Sequence, residues 1–357
     1  MRTKHGRPDA ALIALLVALV LGGMLMFASA AVGLLARGNS HISGVVFNHL
    51  VLGIGLGLVA MAIGFLIDYK RWRPMAPYLF GFSLFATLLT FIPALSMEHG
   101  GGRLWLDFGF ATFQPAELLK ITGVMFAAMY FAKLREETSS WRGLAAFGGI
   151  CALPLIILGL QPDFGTLGII LVAIFSVAVA GGVRARDIAL IGLVGVLCIL
   201  ILSLIPRYDY FFSRIDTFLN PAAQNSQTSG YQIRQSLIAV GSGGFAGRGL
   251  GQGIQKFTYL PEPMGDSIFA VVAEELGFIG GSITILLFLI LGLKGYGIAA
   301  RAPDLFGGLL AVGISTYLVG EAFINIAAML GMAPLTGVPL TFISQGGSAM
   351  LVSLGSA

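Results

Sequence analysis

Long apolar runs separated by short polar ones set the plan of this chain. They recur at roughly 10–35, 45–67, 76–96, 116–133, 143–160, 165–182, 187–206, 267–293, 305–331 and 341–357. A run of about 20 apolar residues crosses a bilayer core as a helix, because the spanning segment must satisfy its own backbone hydrogen bonds. Ten transmembrane helices packed as one bundle are therefore predicted. Within the second run, GIGLGLVAMAIG (Gly53 to Gly64) spaces small residues for close helix contact.

One polar interruption is much longer than the rest. Residues Arg207 to Gly265 separate the seventh and eighth runs. The stretch NPAAQNSQTSG (Asn220 to Gly230) is rich in turn formers. Beyond it, YQIRQSLIAVGSGGFAGRGLGQG reads as a short amphipathic helix followed by a glycine-rich turn. Connections of such length are functional or disordered, and the ordered second half favours function. The domain reading is a single transmembrane domain, 1–357, with the large loop 207–265 inside it.

Composition agrees with this plan. Of 357 residues, 57% are hydrophobic and 11% charged, where soluble domains carry roughly a quarter charged. The chain reads as an all-α, polytopic integral membrane protein. Ala28 to Ala30 (ASA) resembles a signal-peptidase site, but the run around it is too long for a cleaved leader and reads as a retained first span. Cys151 and Cys198 lie within apolar runs without metal-like spacing, as small core residues do. His5, His41, His49 and His99 form no motif, and no nucleic-acid signature is present.

Charge placement gives an orientation. The N-terminus and the loops after even-numbered runs carry Arg2, Lys4, Arg7, Lys70, Arg71, Arg73, Lys133, Arg135, Arg142, Arg184, Arg186, Lys294 and Arg301. Outside the long loop, the opposite side has only Arg37, Arg103 and Lys120. The positive-inside rule then puts both termini in the cytoplasm and the long loop outside.

Acids stand out in such a chain, since intramembrane charge is costly and marks function by default. PEPMGDSIFAVVAEELGFIGG (Pro261 to Gly281) holds Glu262, Asp266, Glu274 and Glu275. Asp266 opens the eighth run at the outer surface, where it serves either as a helix cap or as a reactive group. Glu274 and Glu275 lie on the order of 12 Å deeper and read as structural acids that hold neighbouring helices through buried hydrogen bonds. GGRLWLDFGFATFQPAELLK adds Arg103, Trp105 and Asp107 in a loop, with Glu117 and Lys120 one turn apart on a helix. That pair is either an i,i+3 ion pair or part of a site. QPDFGT places Asp163 in a tight outer turn, and APLTGVPLTFISQGGSAM breaks the entry to the last run with Pro and Gly. Together these predict an outward-facing site of carboxylates, cations and greasy walls, suited to a substrate with an anionic head and a lipid tail. Residue chemistry does not choose between catalysis and transport there.

These four blocks, in this order and over nearly the whole chain, resemble the SEDS family (shape, elongation, division and sporulation), with its FtsW and RodA branches. KFTYLPE, with Lys256 and Tyr259, looks closer to the FtsW branch. The resemblance implies a peptidoglycan glycosyltransferase that polymerises lipid II at the outer face of the bacterial cytoplasmic membrane. It implies Asp266 as general base, and places Arg103, Trp105, Glu117, Lys120, Asp163, Lys256 and Glu262 on family motif positions. Arg103, Lys120, Arg234, Arg248 and Lys256, all outside the positive-inside pattern, are expected around the substrate pyrophosphates. The implied partners are a class B penicillin-binding protein and other divisome or elongasome membrane proteins. No cofactor is certain, and a divalent cation (Mg or Mn) stays open. A lipid II flippase and a non-catalytic division scaffold remain as alternatives. Gly265, Ser267, Glu321, Thr341 and Gln345 depart from the family pattern. The chain stops soon after GGSA, as a trimmed C-terminus would.

Overall fold

A computed structural model describes residues 9–36, 42–99, 102–109, 111–133, 141–184, 186–187, 189–190, 192, 195, 209–219 and 229–357. The predicted seventh span (187–206) and the first part of the long loop lie mostly outside these residues. Helix α1 covers Ala10–Ala36. The second run forms α2 (Ile42–Phe47), a π-helical stretch Asn48–Gly55 and α3 (Leu56–Leu66) in succession. Then come α4 (Trp72–Leu89), α5 (Pro115–Lys133), α6 (Trp141–Leu160) and α7 (Phe164–Ala180). The long loop contributes α8 (Asp209–Leu219), α9 (Ser229–Gly243) and the single turn α10 (Gln255–Thr258). Helices α11 (Ile268–Ala300), α12 (Leu305–Met329) and α13 (Gly347–Ser356) complete the bundle.

The second run, taken as Ser43–Leu66, joins α1, α11 and α12 as segments long and apolar enough to cross a membrane. The 18 to 20 residues of α4, α5 and α6 give lengths of about 27–30 Å, also close to the bilayer core. Large apolar side chains such as Leu25, Phe65, Phe82, Phe85 and Leu293 remain more than half exposed. Lipid, not water, is the solvent such faces require. The interior is built on α5, α7, α11 and α12, whose Phe131, Ile170, Ile174, Phe269 and Ala322 are fully buried or nearly so.

Three local differences from the sequence reading matter for function. The stretch before α5, expected as a loop, is an antiparallel sheet of β1 (Ser96–His99), β2 (Gly102–Asp107) and β3 (Thr112–Phe113) in that order. Its register pairs Met97 with Trp105 and Glu98 with Arg103. Alternation in RLWLD is the period-two signal of a strand with one covered face, and Leu106 is its buried member. The eighth run is not one straight helix, because Gly277 adopts φ 67°, ψ −164° inside α11. The tenth run becomes helical only at Gly347. Its expected start at 341 fails because Phe342 takes φ 63° and Gly346 is extended at φ 174°, so no continuous helical turn forms before Gly347.

Candidate active site

Asp266 sits in the turn leading into α11, half-buried, at the meeting point of two irregular segments. Its carbonyl accepts a 2.8 Å hydrogen bond from Asn325 Nδ2 of α12, which also donates to the Val338 carbonyl at 2.8 Å. Ser344 Oγ donates to the Gly265 carbonyl at 2.8 Å, and the Gln345 N–H to the Met264 carbonyl at 2.7 Å. The turn is thus fastened along its backbone while the Asp266 side chain faces the 333–346 segment. A Cβ placed on Gly337 would stand 3.7 Å from both Asp266 Oδ2 and Arg214 Nη1. Only glycine fits there without strain, given its positive φ. The guanidinium and the carboxylate therefore approach one point. Arg214 is steadied by its 3.2 Å bond to the Leu335 carbonyl.

The other motifs pack behind this point. Lys120 is buried between two carboxylates, 2.7 Å from Glu117 Oε2 and 2.8 Å from Glu321 Oε2. Glu321 and Asn325 are four residues apart on α12 and so share a face. The buried charge triad and the Asp266 backbone are thereby held by one helix. Asp163 caps α7 by accepting the Thr166 N–H at 3.1 Å, and its other oxygen accepts from Gln114 Nε2 at 3.3 Å. Gly165, two residues on, lies so close to the last motif that a Cβ would come within 2.6 Å of the Thr336 carbonyl. Gln161 donates to the Thr87 carbonyl at 3.1 Å and to Thr90 Oγ1.

A second polar cluster surrounds Glu274 and Glu275, both fully buried. In an unbroken helix the N–H groups of residues 278 and 279 bond to the carbonyls of 274 and 275. At Gly277 the turn after α9 inserts between them. Phe278 and Ile279 donate to the Gly244 and Phe245 carbonyls at 2.9 and 3.2 Å. The Glu274 and Glu275 carbonyls accept from Arg248 and Gly249, each at 3.0 Å. All four groups freed by the break are satisfied, as backbone at membrane depth requires. The side chains hold the rest of the loop. Glu274 accepts the Ile254 N–H at 2.8 Å at the start of α10, and Glu275 accepts the Gly251 N–H at 2.8 Å.

Lys256 belongs to that cluster. It is fully buried and donates to Glu275 Oε1 at 2.5 Å, Ser29 Oγ at 2.7 Å and the Gly251 carbonyl at 3.0 Å. An ammonium has three donors, so Lys256 has none left for a phosphate, contrary to the sequence expectation. Lys120 is likewise held between Glu117 and Glu321 inside the bundle, not in an open site. Arg248 Nε lies 3.7 Å from Glu274 Oε1 and donates to Ser242 Oγ at 3.3 Å. Arg234 is exposed on α9. Arg103 and Trp105 lie half-buried on β2. Glu262 is exposed with φ 43°, its Oε2 3.5 Å from where a Cβ on Gly265 would be. The structure therefore groups Asp266 with Arg214, with Glu262 on the same turn. The expected ring of five cations is divided among separate places. Sequence reasoning had not singled out Arg214 or Asn325. The first stood out only as a cation among aromatics in YDYFFSRIDTFL (Tyr208 to Leu219), and the second only as a polar residue one turn from Glu321.

With this geometry in place, likeness to known proteins is decisive. The FtsW/RodA/SpoVE family, described as cell cycle proteins, matches residues 9–357. The chain belongs to that family. It is 36% identical over 355 residues to stage V sporulation protein E of Bacillus subtilis, covering 99% of this chain and 96% of that protein. It is 37% identical over 354 residues to a probable peptidoglycan glycosyltransferase FtsW of Geobacter metallireducens, covering 98% and 92%. FtsW names among the relatives agree with the FtsW-like character of KFTYLPE. The family fold is seen in a chain from a peptidoglycan synthase complex, with TM-score 0.78, 24% identity, and 98% and 95% of the two chains covered. RodA of Thermus thermophilus shares it with TM-score 0.67, 24% identity, and 98% and 93% covered. Membership makes this a multi-pass membrane protein of the SEDS type.

Proposed function

We propose that this chain is a peptidoglycan glycosyltransferase that polymerises lipid II at the outer face of the bacterial cytoplasmic membrane, with both termini inside. The observation that carries the reading is the half-buried Asp266 carboxylate, fixed through its own backbone and converging with Arg214 on Gly337. The glycosyltransferase name of full-length relatives supports it, as does the positive-inside pattern of the loops.

Asp266 acts as general base on the acceptor sugar hydroxyl. The hydroxyl oxygen forms a bond to the donor anomeric carbon as that carbon's bond to the pyrophosphate oxygen breaks. The proton passes to Asp266, and polyprenyl pyrophosphate leaves with the bonding pair. The donor link is α and the product strand β, so a single displacement inverts the centre and needs no covalent sugar–enzyme intermediate, by analogy with inverting glycosidases. Arg214 neutralises charge beside the reacting groups, its planar fork suiting phosphate oxygens. In this reading Glu262 meets the substrate from the turn that bears Asp266, and Arg103, Trp105 and Arg234 are assigned to more distant parts of the lipid II headgroup. Glu117, Lys120, Asp163, Arg248, Lys256, Glu274 and Glu275 hold the scaffold. Among the described residues no three His, Cys, Asp or Glu side chains gather as a cation site. A divalent cation (Mg or Mn) would take most of its ligands from phosphate and water.

The partner in this reading is a class B penicillin-binding protein, which crosslinks the strands within a divisome or elongasome assembly. A flippase is less well supported, because the acids deep in the bundle are engaged, among the described residues, by Lys120, Lys256 and loop N–H groups. The test is polymerisation of labelled lipid II by the purified protein with its transpeptidase partner. Wild type is expected to form glycan strands and Asp266→Asn none. Polymer from both would overturn the assignment of the base, and polymer from neither would overturn the activity.

A further inference from the structure

The end of the bundle opposite Asp266 carries a small groove that this chemistry does not use. Helix α4 begins there and α5 ends there. Arg73, Pro74 and Pro77 of α4, with Met129 and Lys133 of α5, line a cavity of about 230 Å³. Pro77 lies inside the helix. Having no N–H, it leaves the Arg73 carbonyl four residues earlier without its helical donor. Arg73 and Lys133 are both exposed, and among the described residues no acid lines the groove. Asp304, the acid whose charge Arg73 lies near enough to influence, is engaged elsewhere. It accepts from Tyr69 Oη at 2.5 Å and from the Gly307 N–H at 2.9 Å, with Lys70 Nζ at 3.8 Å.

Pro74, one of the lining residues, stands four residues before Tyr78, so the groove borders an exposed apolar face of α4. Met75, Tyr78, Phe82 and Phe85 are all exposed along α4 at spacings of three and four residues, which puts them on one face. Two cations at a helix end, above an exposed apolar stripe, match a molecule with a phosphate at one end and a hydrocarbon chain at the other. We propose that this groove binds an anionic phospholipid, its phosphate between Arg73 and Lys133 and an acyl chain along that stripe. Basic pockets between spanning helices hold anionic headgroups in this way, and guanidinium and ammonium groups both bind phosphate oxygens. Trp72 beside Arg73 is an aromatic residue of the kind that anchors at the headgroup level. A free phosphate ion would use the cations but not the stripe.

The test titrates a fluorescent short-chain phosphatidylglycerol, and a phosphatidylcholine with the same chains, into the full chain in neutral detergent. The anionic lipid is expected to bind more tightly. That preference should fall by about fivefold for each charge removed in Arg73→Ala and Lys133→Ala. It should survive Arg73→Lys with Lys133→Arg, which keeps both charges. Met129→Trp fills the groove without altering charge and should weaken the anionic lipid, so the site stays testable if the double alanine variant does not fold. Equal binding of the two lipids by wild type would overturn the proposal, as would an unchanged preference in the double alanine variant. Inorganic phosphate displacing the anionic lipid at equal concentration would overturn the lipid as occupant.

Discussion

Asn325 Nδ2 holds the carbonyl of Asp266 at 2.8 Å while holding that of Val338 at the same distance. One amide therefore joins the turn bearing the proposed base to the segment that faces its carboxylate. Asn325→Leu removes both bonds and leaves two carbonyls without their donor. Each such loss costs about 1–3 kcal/mol, so destabilisation of roughly 2–6 kcal/mol and a loss of polymerisation are expected together. Asn325→Gln retains the donor and should restore part of the stability. Thermal unfolding in detergent, read beside strand formation, checks both. A Leu variant with wild-type melting and wild-type activity would remove Asn325 from the site.

Asp266→Asn keeps the volume and the backbone contacts of the turn, none of which uses the side chain of residue 266 in the bonds just described. Folding and expression should remain near wild type. Polymerisation should fall by on the order of 10²–10⁴-fold, the usual contribution of a general base. Activity within threefold of wild type would rule that role out.

Arg214 acts through charge and shape beside Gly337. Arg214→Ala is expected to lower kcat/KM for lipid II roughly tenfold or more, and Arg214→Lys to recover part of it. An ammonium replaces the charge but not the two-pronged donor geometry. Gly337→Ala tests the same point from the other side, since its Cβ would enter between Asp266 and Arg214 at a positive φ. It should impair activity even with both charged groups present. Full activity in Arg214→Ala would show that the guanidinium is a bystander.

How much of this was legible in the sequence follows from what each signal measures. Apolar run length located α1, the second run, α11 and α12 as membrane spans, because bilayer thickness sets that length. It did not locate the break at Gly277. The four groups freed there are matched by a turn some 30 residues earlier, and no local pattern reports such a pairing. The three-stranded sheet at 96–113 was not legible, because five residues such as RLWLD carry too short a pattern to mark a strand beside apolar runs of about twenty. Asp266 stood out as an acid at an apolar boundary. Lys256 stood out as a cation outside the positive-inside pattern and is an interior one. A charge at the edge of an apolar run marks cost, and only the partner decides between site and scaffold. For Lys256 that partner is Glu275, and the hydroxyl that joins them, Ser29, lies 246 residues from Glu275 and carries no charge by which to be noticed.

The Lys256–Glu275–Ser29 cluster gives a direct test of scaffold against site. Lys256→Met keeps most of the side-chain volume but leaves the buried Glu275 carboxylate with no cation, facing Ser29 and the Gly251 and Gly253 N–H groups. Removing one partner of a buried pair costs on the order of 3–5 kcal/mol, whereas replacing both charges is often nearly neutral. Lys256→Met should therefore melt much earlier than wild type, and Lys256→Met with Glu275→Gln should recover most of the loss. If Lys256 is structural, the double variant also regains lipid II affinity along with its fold. A double variant that folds like wild type yet fails to bind lipid II would return Lys256 to the substrate site. The loop it anchors would then reach the substrate directly, and would not merely complete the broken helix at Gly277.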